Sequence, residues 1–151
     1  MSIDKRKSFV PVRIALLTVS DTRSLANDKS GSVLVERIET SGHQVVGREI
    51  IRDDRQQIRS QLENWIKSTT VDVIISTGGT GLTGRDVTVE AHRDVYEKEI
   101  EAFSIVFSIV SMKKIGTPLF NHVVLLALLV ERIYLLFPAV PAPVRMHGMK
   151  F

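Results

Sequence analysis

Residues 71–81 read VDVIISTGGTG, a β-branched apolar run that passes directly into Gly78, Gly79 and Gly81. Consecutive apolar residues suit a strand covered on both faces, the usual setting of a parallel sheet. Glycine has no side chain, so the backbone after such a strand can approach a ligand closely and turn its N–H groups inward. A helix starting just beyond adds further donors and the positive end of a dipole, which together favour phosphate. The same residues also suit a plain strand-to-helix turn. The glycine spacing fits neither the dinucleotide motif nor a Walker loop, because no Gly-Lys-Ser/Thr follows.

Working outward, residues 12–19 and 43–50 read as two more strands, the first nearly all apolar. A helix is expected over 31–41, with Val33, Leu34 and Ile38 on one face, Asp28 or Ser30 as cap and Gly42 at its end. A second helix is expected over 55–67, where Ile58, Leu62, Trp65 and Ile66 recur at helical spacing. Residues 86–97 and 99–112 also read as helical, the latter aligning Ile100, Phe103, Phe107 and Val110. This alternation predicts an α/β fold with a doubly wound, mostly parallel sheet. Such sheets bind ligands outside the carboxyl ends of their strands, where strand order reverses. Ser20-Asp21-Thr22 ends the first strand, so it shares a crevice with Thr77-Gly78-Gly79-Thr80-Gly81 if strands one and three are neighbours. Asp53-Asp54 follows strand two, and Arg85-Asp86 precedes Glu90 by about one helical turn. Carboxylates beside a phosphate repel it unless a cation intervenes, and Mg²⁺ commonly takes one or two carboxylates plus phosphate oxygens. Each group has a plainer reading as well: an Asx turn or helix cap for Ser20-Asp21-Thr22, an N-cap for Asp53-Asp54, a solvated helix position for Glu90.

The chain has 151 residues, 44% hydrophobic and 25% charged, a size and balance suited to one globular domain. It has no cysteine, which excludes a disulfide scaffold, a thiolate zinc site and a cysteine nucleophile. The histidines at 43, 92, 122 and 147 share no metal-ligand spacing. Twenty basic residues against 17 acidic ones leave a net charge of +3 with no basic stripe, so no nucleic-acid partner is expected. No secretory leader is legible, and the apolar stretch at 123–130 falls short of the roughly 20 residues a membrane span needs. A cytoplasmic protein with no membrane partner is expected.

Taken in order, VSDTRSLANDKSG at 19–31, STGGTGLTGRDVTVEA at 76–91 and KKIGT at 113–117 resemble the MoaB/Mog family of molybdenum-cofactor (molybdopterin) biosynthesis proteins, which includes the gephyrin G domain. The resemblance is closer to the MoaB branch and covers about residues 10–117. It implies a molybdopterin-binding α/β domain, assembly into trimers or hexamers, and adenylylation of molybdopterin by Mg²⁺-ATP. Matched position by position, it implies that Thr77, Gly78, Gly79, Thr80 and Gly81 cradle phosphate and pterin. It implies that Asp53 and Asp86 are the catalytic, metal-holding acids. It further implies ligand contacts by Ser20, Asp21, Thr22, Asp28, Ser30 and Gly31 of the first loop, with Glu90 beside them. A non-catalytic pterin or phosphate binder and an oligomeric scaffold are the other functions the resemblance admits.

The resemblance stops after Thr117. From there on only Glu131, Arg132, Arg145 and Lys150 are charged, and the family's STIQSRA-like and LPGSPGA segments are absent. Codons compatible with FPAVPAPVRMHGMKF, read one nucleotide earlier, permit LPGSPGACKDAWNEI; the same shift over residues 118–122 permits STIQS. We therefore read residues 118–151 as a divergent tail created by a one-nucleotide frameshift near Thr117-Pro118. The tail is expected to lack the family's last strand and to form a helix over 123–137, leaving apolar surface exposed.

Overall fold

The computed structural model describes residues 8–115, 125–129 and 132–137. Six strands form one sheet: β1 (Arg13–Val19), β2 (Gln44–Ile51), β3 (Val73–Thr77), β4 (Lys98–Glu99), β5 (Leu125–Leu129) and β6 (Arg132–Phe137), in the order β2-β1-β3-β6-β5-β4. β1 pairs in parallel with both β2 and β3, and β3 in parallel with β6. β5 runs antiparallel to β6 and β4 antiparallel to β5, so the sheet is mostly parallel, as the alternation predicts.

The helices are α1 (Lys29–Thr40), α2 (Arg55–Lys67), α3 (Thr88–Arg93) and α4 (Glu101–Ile115). Alternate residues of β1 point to opposite faces of the sheet, each meeting its own helices. Ala15, Leu17 and Val19 pack with Ile58 and Leu62 of α2 and Val89 and Ala91 of α3. Ile14 and Leu16 pack with Ile38 of α1 and Phe107 of α4. Three layers result, with β1 and β3 buried on both sides.

The helix ends follow local chemistry. Asp28 caps α1 by accepting the Gly31 N–H at 3.0 Å, and Gly42 continues the chain from its end at φ +83°, a left-handed conformation that costs glycine little. Asp54 caps α2 through the Gln57 N–H at 2.8 Å. α3 is shorter than expected: it starts at Thr88 instead of residue 86 and stops at Arg93, because the chain turns at Asp94 and enters the short strand β4.

The tail also departs from expectation. A helix over 123–137 is not formed; residues 125–129 and 132–137 are strands, and β6 lies beside β3 with Thr77 opposite Phe137. A strand thus occupies the position expected to be missing. The apolar run suits that place because an interior strand of a mostly parallel sheet is covered on both faces, and Leu135 and Leu136 are buried on opposite sides.

Candidate functional site

The chain leaves β1 for β2 in one direction and then crosses back over β1 to reach β3. The reversal of strand order therefore falls between β1 and β3, and their parallel carboxyl ends bring Ser20 and Gly78 to the same edge of the sheet. β2 adds its own end: Ser20 N–H donates to Ile51 O at 2.8 Å, which sets residues 52–54 beside the first loop.

Gly78 and Gly79 have φ of +98° and +60°. A Cβ on Gly78 would stand 2.2 Å from Val19 O, so this backbone lies directly against the end of β1. A Cβ on Gly79 would meet Thr88 Oγ1 at 2.0 Å and the carboxylate oxygens of Asp53 at 2.9 and 3.1 Å. A Cβ on Gly81 would lie 2.6 Å from Asp86 Oδ2. Two carboxylates thus flank the glycine loop. Thr77 and Thr80 are buried within it.

The adjacent aspartates at the end of β2 divide their labour. Asp54 caps α2, whereas Asp53 turns to the loop and accepts the Val87 N–H at 3.1 Å. Asp53 N–H donates to Asp21 Oδ1 at 3.3 Å, and Arg85 donates to Asp21 Oδ2. Residues following β1, β2 and β3 are thereby joined in one cluster. Burial raises the pKa of Asp53, the negative charges of Asp86 and Asp21 raise it further, and the Val87 N–H and Arg85 oppose them. Asp86 accepts the Thr83 hydroxyl at 2.7 Å.

The chemistry fits a divalent cation bound together with phosphate. Asp53, whose proton affinity is raised by burial and by the charges of Asp86 and Asp21, calls for positive charge at the mouth of an amide-rich loop, and Asp53 and Asp86 would hold Mg²⁺ there. Thr88 Oγ1 is a buried hydroxyl without a hydrogen-bond partner, set beside the same loop. Among the described residues no group of three or more His, Asp or Glu side chains could hold a metal unaided.

The remaining first-loop residues are placed differently. Ser20 Oγ accepts the N–H groups of Thr22 and Arg23 at 3.4 and 3.3 Å, an ST-turn that shapes the loop. Asp28 is buried and committed inside the protein: it accepts Gly31 N–H, the Thr18 hydroxyl at 2.8 Å and Arg48 at 3.2 Å. Burial pushes its pKa up, but these donors outweigh burial and hold it below the ordinary value. Gly31 makes room for that carboxylate, since a Cβ there would be 2.0 Å from Asp28 Oδ2. Ser30 accepts from Arg23 at 3.1 Å. Glu90 is exposed on α3, and its charge is felt by Arg55. Asp28, Ser30 and Gly31 therefore support the first loop from behind, while Asp21, Asp53, Asp86 and the glycines gather at the carboxyl edge of the sheet.

Two residues outside the sequence reading matter here. His92 is 2% exposed and joins Ser76 Oγ at 2.8 Å to Thr88 O at 2.7 Å. Thr88 contributes the unpartnered hydroxyl. The sequence signal for the pair is the four-residue spacing of Thr88 and His92, which places them on one face of a helix.

The class this fold and site define is a doubly wound α/β domain with a glycine loop flanked by two acids at its topological switch point. The family described as "Probable molybdopterin binding domain" matches residues 15–149, and the chain belongs to it. Molybdenum cofactor biosynthesis protein B of Escherichia coli K12 is 43% identical over 109 residues, which cover 72% of this chain and 64% of that protein. The Bacillus cereus protein of the same name is 39% identical over 120 residues, covering 78% and 71%. This chain thus spans less than two thirds of the length of its Escherichia coli relative. A crystal structure of a molybdenum cofactor biosynthesis protein B superposes with a TM-score of 0.85 at 32% identity, covering 89% of this chain and 84% of that one. The tungsten cofactor synthesizing protein MoaB of Pyrococcus furiosus gives 0.77 at 26% identity, covering 88% and 85%.

Proposed function

We propose that this chain acts in molybdenum-cofactor biosynthesis by binding molybdopterin at the β1–β3 crevice and transferring AMP to it from Mg²⁺-ATP. The observation that carries the reading is the placement of Asp53 and Asp86 on either side of the glycine loop, one against Gly79 and the other against Gly81. In the transfer, an oxygen of the pterin's terminal phosphate attacks the α-phosphorus of ATP. A new P–O bond forms, the bond to the β-phosphate oxygen breaks, and pyrophosphate leaves with that electron pair. No nucleophilic side chain is needed, because such reactions depend on positioning and charge neutralisation.

In this reading the N–H groups of residues 78–81 bind phosphate oxygens, and the Val87 N–H fixes the Asp53 carboxylate. Arg85 holds Asp21 at the rim. Asp53 and Asp86 would hold Mg²⁺, whose charge would let phosphates lie beside carboxylates. Ser20, Thr22, Asp28, Ser30, Gly31 and Glu90 are assigned to shaping or lining the first loop and its surroundings. The test is anaerobic incubation of the protein with molybdopterin and Mg²⁺-ATP. Pterin-dependent pyrophosphate release supports the reading; pterin binding without release favours the non-catalytic alternative.

A homo-oligomer belongs to the same proposal. Ile105, Val106 and Ile109 lie 54–60% exposed on α4, an apolar row that a second copy would cover. Among the described residues no helix is long and apolar enough to cross a membrane. Cytoplasmic residence and the boundary at residue 117 are further parts of this proposal. The frameshift origin of residues 118–151 is another, and it concerns the gene more than the site.

A further inference from the structure

The loop 78–87 hangs between two supports, the end of β3 and the first turn of α3. The His92 side chain hydrogen-bonds to both. His92 lies four residues into α3 from Thr88 and reaches Thr88 O through Nδ1 at 2.7 Å and Ser76 Oγ through Nε2 at 2.8 Å. A carbonyl only accepts, so Nδ1 carries the proton and the Ser76 hydroxyl donates to Nε2. Ser76 is 0% and His92 2% exposed, so water does not compete for these bonds.

We propose that His92 is a positioning residue for the glycine loop, a buckle joining Ser76 to Thr88 that sets the span between Gly78 and Val87 and with it the approach of Asp53 to Gly79. This rests on the reading of the loop as a phosphate site. The neighbouring contacts show why the span matters. Thr88 Oγ1 is 2.0 Å from the point where Gly79 would carry a Cβ, and the Asp53 oxygens are 2.9 and 3.1 Å from that point. Asp53 is tied to α3's side of the loop through Val87 N–H. Slack between β3 and α3 would move this hydroxyl, the carboxylate and the loop amides relative to one another. The hydrogen bonds of His92 run to Thr88 and Ser76, so it acts on the loop through these two residues.

The experiment titrates Mg²⁺-ATP calorimetrically into the full chain and follows amide exchange at residues 78–81. His92→Leu and Ser76→Ala are compared with His92→Asn, whose amide can still donate to Thr88 O, and with Leu62→Ala, which weakens the core beneath α2. We expect His92→Leu to lose about tenfold in affinity, the usual scale for removing a group that orients a binding residue. Its loop amides should exchange faster, Ser76→Ala should show a smaller loss, and His92→Asn should regain part of it. Leu62→Ala should lower stability while leaving affinity unchanged. Equal affinity in the wild type and His92→Leu, or equal loss in Leu62→Ala, would overturn the positioning role. Failure of the wild type itself to bind Mg²⁺-ATP would overturn the phosphate-site reading; unchanged loop exchange in His92→Leu would then refute the buckle independently.

Discussion

Acidification offers a quantitative check on the burial of His92. Burial lowers its pKa from 6.5 to about 4, against a weak opposing pull from the Thr88 carbonyl. Above pH 6.5 the imidazole is neutral in both folded and unfolded chains, and its bonds to Ser76 and Thr88 are at full strength. As pH falls below 6.5 the unfolded chain takes up a proton that the folded one refuses, so stability declines. The decline continues until the folded-state value near 4 is reached. The 2.5-unit gap corresponds to about 3 kcal/mol, lost over that window. Carboxylates titrate in the lower part of the same range, so the informative quantity is a difference. Urea unfolding followed by circular dichroism at pH 7.5, 6.5, 5.5 and 4.5 should be run on the wild type and on His92→Asn. The stability difference between them should shrink steadily on acidification, with the wild type losing more. Parallel pH profiles, or an imidazole signal of His92 that titrates near 6.5 in NMR spectra, would refute the argument.

Further outcomes follow from other parts of the molecule. Asp86→Asn should abolish pterin-dependent pyrophosphate release while the circular dichroism spectrum is retained; unchanged release would remove Asp86 from the reaction. Gly79→Ala should abolish Mg²⁺-ATP binding, since a methyl group would stand 2.0 Å from Thr88 Oγ1 at φ +60°, and calorimetry reads this directly. Asp28→Ala should lower unfolding free energy by about 3 kcal/mol, because it removes the carboxylate that pairs with Arg48 and uncaps α1, and urea denaturation measures it. Resequencing the gene across codon 117 should reveal a one-nucleotide shift relative to the frame encoding STIQS and LPGSPGA. An uninterrupted frame for the present tail would disprove that origin.

The parallel core was legible because strands buried on both faces leave a plain mark: residues 14–19 and 73–75 are apolar at nearly every position. The crevice was legible only conditionally: Ser20 and Gly78 follow strands that could be neighbours, and the pairing of β1 with β3 makes them so. Which of Asp53 and Asp54 would cap α2 was not legible, because either side chain can reach an N-terminal amide and only the approach of Val87 separates them. His92 was passed over for a similar reason: its neighbours at helical spacing say nothing about Ser76, sixteen residues away. The tail was misjudged because residues 125–137 alternate too little to distinguish a strand from a helix, and the vacant place beside β3 decides the matter.

The pairing of β3 with β6 has a wider consequence. Ladder hydrogen bonds join peptide groups, which are the same in every residue except proline. The open flank of β3 therefore selects for extended, apolar, proline-free chain and not for any particular wording. Under the proposed frameshift, a message displaced by one nucleotide would still spell such a segment; Ile133, Tyr134 and Leu135 fall opposite Val73, Ile74 and Ile75. Without that cover, β3 would present a bare strand edge to other nascent chains, the usual starting point for sheet-to-sheet aggregation.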